Sequence, residues 1–257
     1  MRVRCTPAGS AGRCGTVGGV PATLPTHPLA VLPLKLWRPR WFDGVALAVG
    51  ATAPDIAYAL GGALTVRSHT VAAMFWWGLP VTVLTAWLIR LGAPTVAAHL
   101  PGPLREYGVL RRVRHPWWVT AVSALLGDAS HLLWDLVTHP GPGVVAHWRL
   151  IRDVSDYAAL LLLPLFLWYV GRRHLIVRWH GPAPVVPRRP LLFWSVAVEV
   201  FAAGAFITGR LEYFGPHVFV VRLIVSAMIA LLVASVALHF VGAPGDRPAA
   251  AAAVPRG

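Results

Sequence analysis

The feature that most constrains this chain is a series of long apolar segments separated by short connections rich in basic residues, Pro and Gly. They cover residues 45–63, 69–91, 117–138, 155–171, 191–208 and 218–241. A helix that crosses the hydrocarbon core of a bilayer needs about 20 predominantly apolar residues, and each of these segments reaches or approaches that length. The sequence therefore predicts an integral membrane protein.

The predicted fold is all-α, a polytopic transmembrane bundle of about six spans preceded by a short N-terminal arm. Residues 27–36 would rise only about 15 Å as a helix, roughly half of the hydrocarbon core, so they form a half-helix or one side of a hairpin. The next apolar segment would return antiparallel to it and place His27 and Asp55 at the same depth. Pro54 favours this because it disturbs the helix beside the carboxylate.

Composition supports a membrane protein and argues against a nucleic-acid-binding one. Only 13% of the residues are charged and the mean hydropathy is +0.62, whereas about a quarter of the residues of a soluble domain are charged. The net charge is +13, but the basic residues lie in short segments between apolar runs and do not form a patch. Cys5 and Cys14 are the only cysteines, so no Cys-based zinc site is expected.

The distribution of Lys and Arg predicts the orientation. Fifteen of them lie in alternate connections and the C-terminal tail, and five lie in the connections on the other side. By the positive-inside rule, the chain is expected to be a multi-pass membrane protein with a cytoplasmic C-terminus. Residues 1–19 are predicted to be a disordered or mis-annotated extension before a start at Val20, residues 20–242 the transmembrane domain, and residues 243–257 a disordered cytoplasmic tail.

The apolar segment 117–138 and the residue after it carry ionisable groups on one helix face. Asp128, His131, Asp135 and His139 follow each other at spacings of three and four residues, which aligns them along one side of a helix. Buried ionisable groups cost several kcal/mol each in lipid, so they indicate a functional site with partners elsewhere in the bundle. Imidazoles and carboxylates without thiolates are ligands for a divalent metal ion such as zinc, iron or manganese.

The helix alone does not provide a complete metal site. His131 and Asp135 are about 6 Å apart along the axis and His139 is about 12 Å from His131, so one ion takes only two of these neighbours. The other ligands must come from Asp55, His69 or His27, or else there are two ions. Asp128 is expected to orient the imidazole of His131 from outside the ligand set, and Thr138 to form a local hydrogen bond.

Four motifs resemble a known family over about residues 20 to 240. They are Thr26-His27-Pro28, the segment around Pro54-Asp55, Ser68-His69-Thr70, and Ser130-His131 with Asp135, Thr138 and His139. This pattern resembles the bacterial membrane family catalogued as domain of unknown function 4184. It is more distantly similar to bacterial inner-membrane metal-dependent hydrolases, and this resemblance implies metal ligands at His27, Asp55, His69, His131 and Asp135.

The leading hypothesis, in line with the resemblance, is a metal-dependent hydrolase of the bacterial inner membrane with a His/Asp site near the extracytoplasmic face. It would act on a lipid or a lipid-linked ester or phosphoester. In this hypothesis Asp55, His69, His131 and Asp135 hold the metal, and His27 or His139 carries protons. One alternative is a transporter or channel in which the same groups relay protons or cations. Another is a structural membrane protein in which the polar residues only fix how the helices pack. The sequence does not identify a protein partner.

Overall fold

The structure, a computed structural model, describes residues 25–139, 147–212 and 215–241. In these three ranges the chain forms helices joined by loops and contains no strand, which confirms the predicted all-α class. The predictions for the start at Val20, for residues 1–19 and for residues 243–257 concern residues outside the described ranges.

The helices follow the apolar segments but divide some of them. They are α1 (Thr26–Trp37), α2 (Gly44–Gly50), α3 (Ala53–Ile56), α4 (Leu79–Ala98), α5 (Trp117–Thr138), α6 (Trp148–Arg172), α7 (Leu175–His180), α8 (Pro190–Arg210) and α9 (Pro216–Val241). Two 3₁₀ segments, Ala57–Leu60 and Gly102–Arg112, connect helices, and a π-helical turn, Met74–Gly78, leads directly into α4.

Four helical segments in the described ranges are long and apolar enough to cross a membrane. They are Met74–Ala98, Trp148–Arg172, Pro190–Arg210 and Pro216–Phe240. Only 17% to 33% of the most apolar stretch of each is buried, so most of these side chains face outward, as lipid-exposed helices do. These are the properties of a membrane protein.

The expected number of six spans is not confirmed. The segment 45–63 is not one helix, because the chain leaves α2 at Gly50, starts again at Ala53 with Pro54 in its first turn, and tightens into a 3₁₀ segment. Helix α5 has 22 residues but is not among the four segments that are long and apolar enough to cross a membrane.

Helices α2 and α5 cross with their backbones in direct contact. A Cβ atom added to Gly127 would lie 2.4 Å from the carbonyl oxygen of Leu47, and one added to Gly50 would lie 2.3 Å from that of Ala124. Small residues allow this approach, as they commonly do between membrane helices. The contact brings the end of α2 and the start of α3 beside the ionisable face of α5.

The turn between α1 and α2 is held by a buried carboxylate. Asp43 is fully buried, caps α2 by accepting hydrogen bonds from the amides of Val45 and Ala46, and also accepts from Arg90 of α4 and Thr120 of α5. Burial alone would raise the pKa of Asp43, but the Arg90 guanidinium and these hydrogen bonds more than offset it and hold the pKa below its ordinary value. This anchor lies at the opposite end of the hairpin from His27 and Asp55.

Candidate metal site

The side chains proposed as ligands and proton carriers meet at one place in the fold. His27 is at the start of α1, Asp55 in α3, His69 in the loop before the π-helical turn, and His131, Asp135 and His139 on α5 and at its end. Two groups of three, His27 with Asp55 and His131, and His69 with His131 and Asp135, have ligand atoms within 4.8 Å of one another. The hairpin thus brings His27 and Asp55 to the same depth beside α5.

Four of these side chains place ligand atoms at the spacing of a metal coordination shell. The Nε2 atom of His131 is 3.2 Å from both His69 Nε2 and Asp135 Oδ2. The Oδ1 atom of Asp55 is 3.4 Å from His69 Nε2 and 3.7 Å from His131 Nε2, and His69 Nε2 is 3.7 Å from Asp135 Oδ2. Ligand atoms about 2.0–2.2 Å from a tetrahedral ion stand about 3.3–3.6 Å apart. These five distances are close to that spacing, and each of the two groups of three could hold one ion.

A backbone contact sets the hydrogen-bonding role of His131. Its Nδ1 atom is 2.9 Å from the carbonyl oxygen of Ala51, and because a carbonyl only accepts, Nδ1 carries the hydrogen. In the neutral ring the lone pair is then on Nε2, which faces the Asp135 carboxylate and a second imidazole. Electron-rich atoms that face each other in this way are stabilised by a cation between them. A metal-binding histidine also commonly donates a hydrogen bond from its other ring nitrogen to a backbone carbonyl, which orients the ring.

Asp128 does not have the contact that the sequence analysis expected. The carbonyl of Ala51, and not Asp128, accepts from His131, because the glycine crossing brings the backbone of α2 next to the ring. Asp128 is 2% exposed and lies against Gly78, where an added Cβ would meet its Oδ2 atom at 1.7 Å. Neither of its oxygens has a hydrogen-bond partner within the described ranges. Thr138, by contrast, forms the expected local hydrogen bond, to the carbonyl of Trp134.

The variant Asp128→Asn is expected to keep the metal content of the native protein. The amide has nearly the size of the carboxylate, so it fits against Gly78, and no ligand atom depends on it. Metal analysis of the purified variant checks this. A loss of metal comparable to that of a ligand variant would show that Asp128 supports the site.

Three further residues belong to the surroundings of the site and were not assigned to it from the sequence. The ring of Tyr58 stacks on His69 with centroids 5.4 Å apart and contacts His217 edge-on at 5.1 Å. Asp156 of α6 accepts a hydrogen bond from Thr26, next to His27, at 3.1 Å.

The position of Tyr58, three residues after Asp55, could have indicated from the sequence that it lies near the site, because this spacing places two side chains on the same side of a helical turn. His217 and Asp156 are remote in sequence and gave no such signal.

Comparison with known proteins identifies a family but no activity. A family model described as Domain of unknown function (DUF4184) matches residues 20–240. Searches of curated proteins and of solved structures found no match. The geometry of the site is therefore the basis on which a function can be assigned.

Proposed function

The chain belongs to this family of unknown function, and from the geometry of its His/Asp site we propose that it is a membrane-embedded, metal-dependent hydrolase of a lipid or lipid-linked ester or phosphoester. The observation that carries the proposal is the set of four ligand atoms of Asp55, His69, His131 and Asp135, with five pair distances of 3.2 to 3.7 Å. A divalent ion held there would act as a Lewis acid and would acidify a water molecule.

The exposure of the ligands supports a catalytic site over a closed structural one. The side chains of His27 and His131 are 1% exposed and form the floor, whereas those of His69 and Asp135 are 29% and 21% exposed. His139, at 45%, lies at the rim, 3.4 Å from Asp135. A catalytic metal site needs such an open side for water and substrate.

The depth of the site supports a substrate from the bilayer. Helix α1 has 12 residues, so it carries the chain about 18 Å from the site to the basic turn, more than half of a hydrocarbon core about 30 Å thick. Because basic connections remain in the cytoplasm, we place the site toward the extracytoplasmic leaflet. Two of the apolar helices contact elements of the site, α6 against α1 and α9 against α3, and their side chains face largely outward, which suits a substrate that arrives through the lipid.

Metal analysis of the protein purified in detergent tests the proposal. We expect bound divalent metal in the native protein and its loss in His131→Ala. A chelator should lower the melting temperature of the native protein and leave that of the variant unchanged, since binding stabilises only the folded state that holds the ligand.

The control is His174→Ala, because His174 is also paired with a carboxylate, that of Glu106, but is exposed and lies outside the site; it should retain the native metal content. Native protein without metal and without a response to chelator would contradict the proposal. Cation or proton flux in liposomes without hydrolysis of any lipid would favour a transporter.

A further inference from the structure

The site has more ligand atoms than one tetrahedral ion uses. Once Asp55, His69, His131 and the Oδ2 atom of Asp135 are assigned to one ion, the second oxygen of Asp135 remains. This Oδ1 atom is buried, and no group in the described ranges stands in hydrogen-bond geometry to it. Two imidazole nitrogens face it: His139 Nδ1 at 3.4 Å and His27 Nε2 at 3.9 Å. His139 Nδ1 is also 3.2 Å from Thr138 Oγ1, a contact that it would exchange for an ion.

The two oxygens of Asp135 thus face two different pairs of imidazoles. Oδ2 faces His131 and His69, and Oδ1 faces His139 and His27. This is the arrangement of a carboxylate that bridges two metal ions, which in two-metal hydrolytic sites stand about 3.5–4 Å apart.

We propose that the site binds a second divalent cation, held by Asp135 Oδ1, His27 Nε2 and His139 Nδ1. This inference rests on the proposed function, because the bridging carboxylate is also a ligand of the first ion. His27 is buried and its ring stacks on that of His131 with centroids 3.8 Å apart, while its Nδ1 atom has no hydrogen-bond partner in the described ranges. His139 is more exposed and leaves the outer side of the second ion accessible. His27 and His139 then serve as ligands, not as proton carriers.

The net charge of a site with two ions also indicates the class of substrate. The ligand set includes two carboxylates, Asp55 and Asp135, which together neutralise one divalent ion. A second divalent ion adds two positive charges that no carboxylate of the ligand set compensates, and such charges attract an anion. The substrate class is therefore an anionic phosphoester carried on a lipid, in preference to an uncharged carboxylic ester.

Metal stoichiometry tests the second ion separately from the first. The native protein in detergent is equilibrated with Mn²⁺ and freed of unbound metal by gel filtration. We expect two ions per chain in the native protein and in His174→Ala, but one in His139→Ala, whose exposed side chain can be removed without disturbing the core. The electron paramagnetic resonance spectrum of the native protein should show two coupled Mn²⁺ ions, and that of His139→Ala a single uncoupled ion.

The outcomes separate the two proposals. One ion in both the native protein and His139→Ala, lost in His131→Ala, would overturn the second ion and leave the first in place. No bound ion in the native protein would overturn both.

Calorimetric titration with inorganic phosphate tests the substrate class. We expect binding to the Mn²⁺-loaded native protein and at least tenfold weaker binding to His139→Ala. Equal binding, or none to the native protein, would overturn the phosphoester assignment.

Discussion

Gly127→Ala is expected to destabilise the protein by about 3 kcal/mol or more, at or above the upper end of the usual cost of overpacking, and to abolish metal binding. The added methyl group would lie 2.4 Å from the carbonyl oxygen of Leu47 and 2.7 Å from the amide nitrogen of Ala51. These are backbone atoms, so no side chain can rotate to relieve the contact, and α2 must move away from α5. That movement withdraws the Ala51 carbonyl from His131 and displaces Asp55.

The measurement is the melting temperature in detergent with and without chelator, together with the metal content. Gly209→Ala in α8 is the control, because an added Cβ there meets nothing within 4 Å. It should be neutral or slightly stabilising, since Ala is favoured over Gly in a helix by up to about 1 kcal/mol. Native stability and metal content in Gly127→Ala would show that the α2–α5 crossing does not position the site.

Arg90→Met is expected to destabilise the protein by about 3–5 kcal/mol, the cost of leaving a buried charge without its partner. Asp43 is fully buried, and Arg90 is its only cationic hydrogen-bond donor in the described ranges. Thermal or denaturant unfolding of the purified variant checks this value. The double variant with Asp43→Asn should recover part of the loss, because the uncompensated charge is then absent. If Arg90→Met unfolds like the native protein, the ion pair does not hold the turn.

The effect of Arg90→Met should depend on pH. The folded-state pKa of Asp43 is lowered, so the ion pair contributes stability at pH values above the unfolded-state pKa, and this contribution is lost as the pH falls through the folded-state pKa. The difference between the native protein and the variant should therefore be full at neutral pH and should shrink in acid. Arg152→Ala is the control, because Arg152 pairs with the half-exposed Asp153 and exposed pairs contribute at most about 1 kcal/mol.

Much of the fold class was predictable from sequence, but the division into helices was not. Apolar length and residue type identified a helical membrane protein. They did not show that residues 45–63 form two short helices and a 3₁₀ segment, because the break at Thr52 and Pro54 is stable only when the exposed backbone groups find partners in the packed structure. The ion pair between Asp43 and Arg90 was also not predicted from the sequence, because 47 residues separate the two in the chain.

The order of side chains along the sequence determined the chemistry of the site: imidazoles and carboxylates without thiolates, with two of them one helical turn apart on α5. Only the tertiary structure decided which atoms face one another. The glycine crossing of α2 and α5 lets the Ala51 carbonyl orient His131 in place of Asp128, and the hairpin brings His27 Nε2 to 3.9 Å from the Oδ1 atom of Asp135. Helical periodicity is a local property and fixes only the face on which a residue lies. Distances between ligand atoms depend on how closely separate backbones approach, and that is set by packing between distant segments.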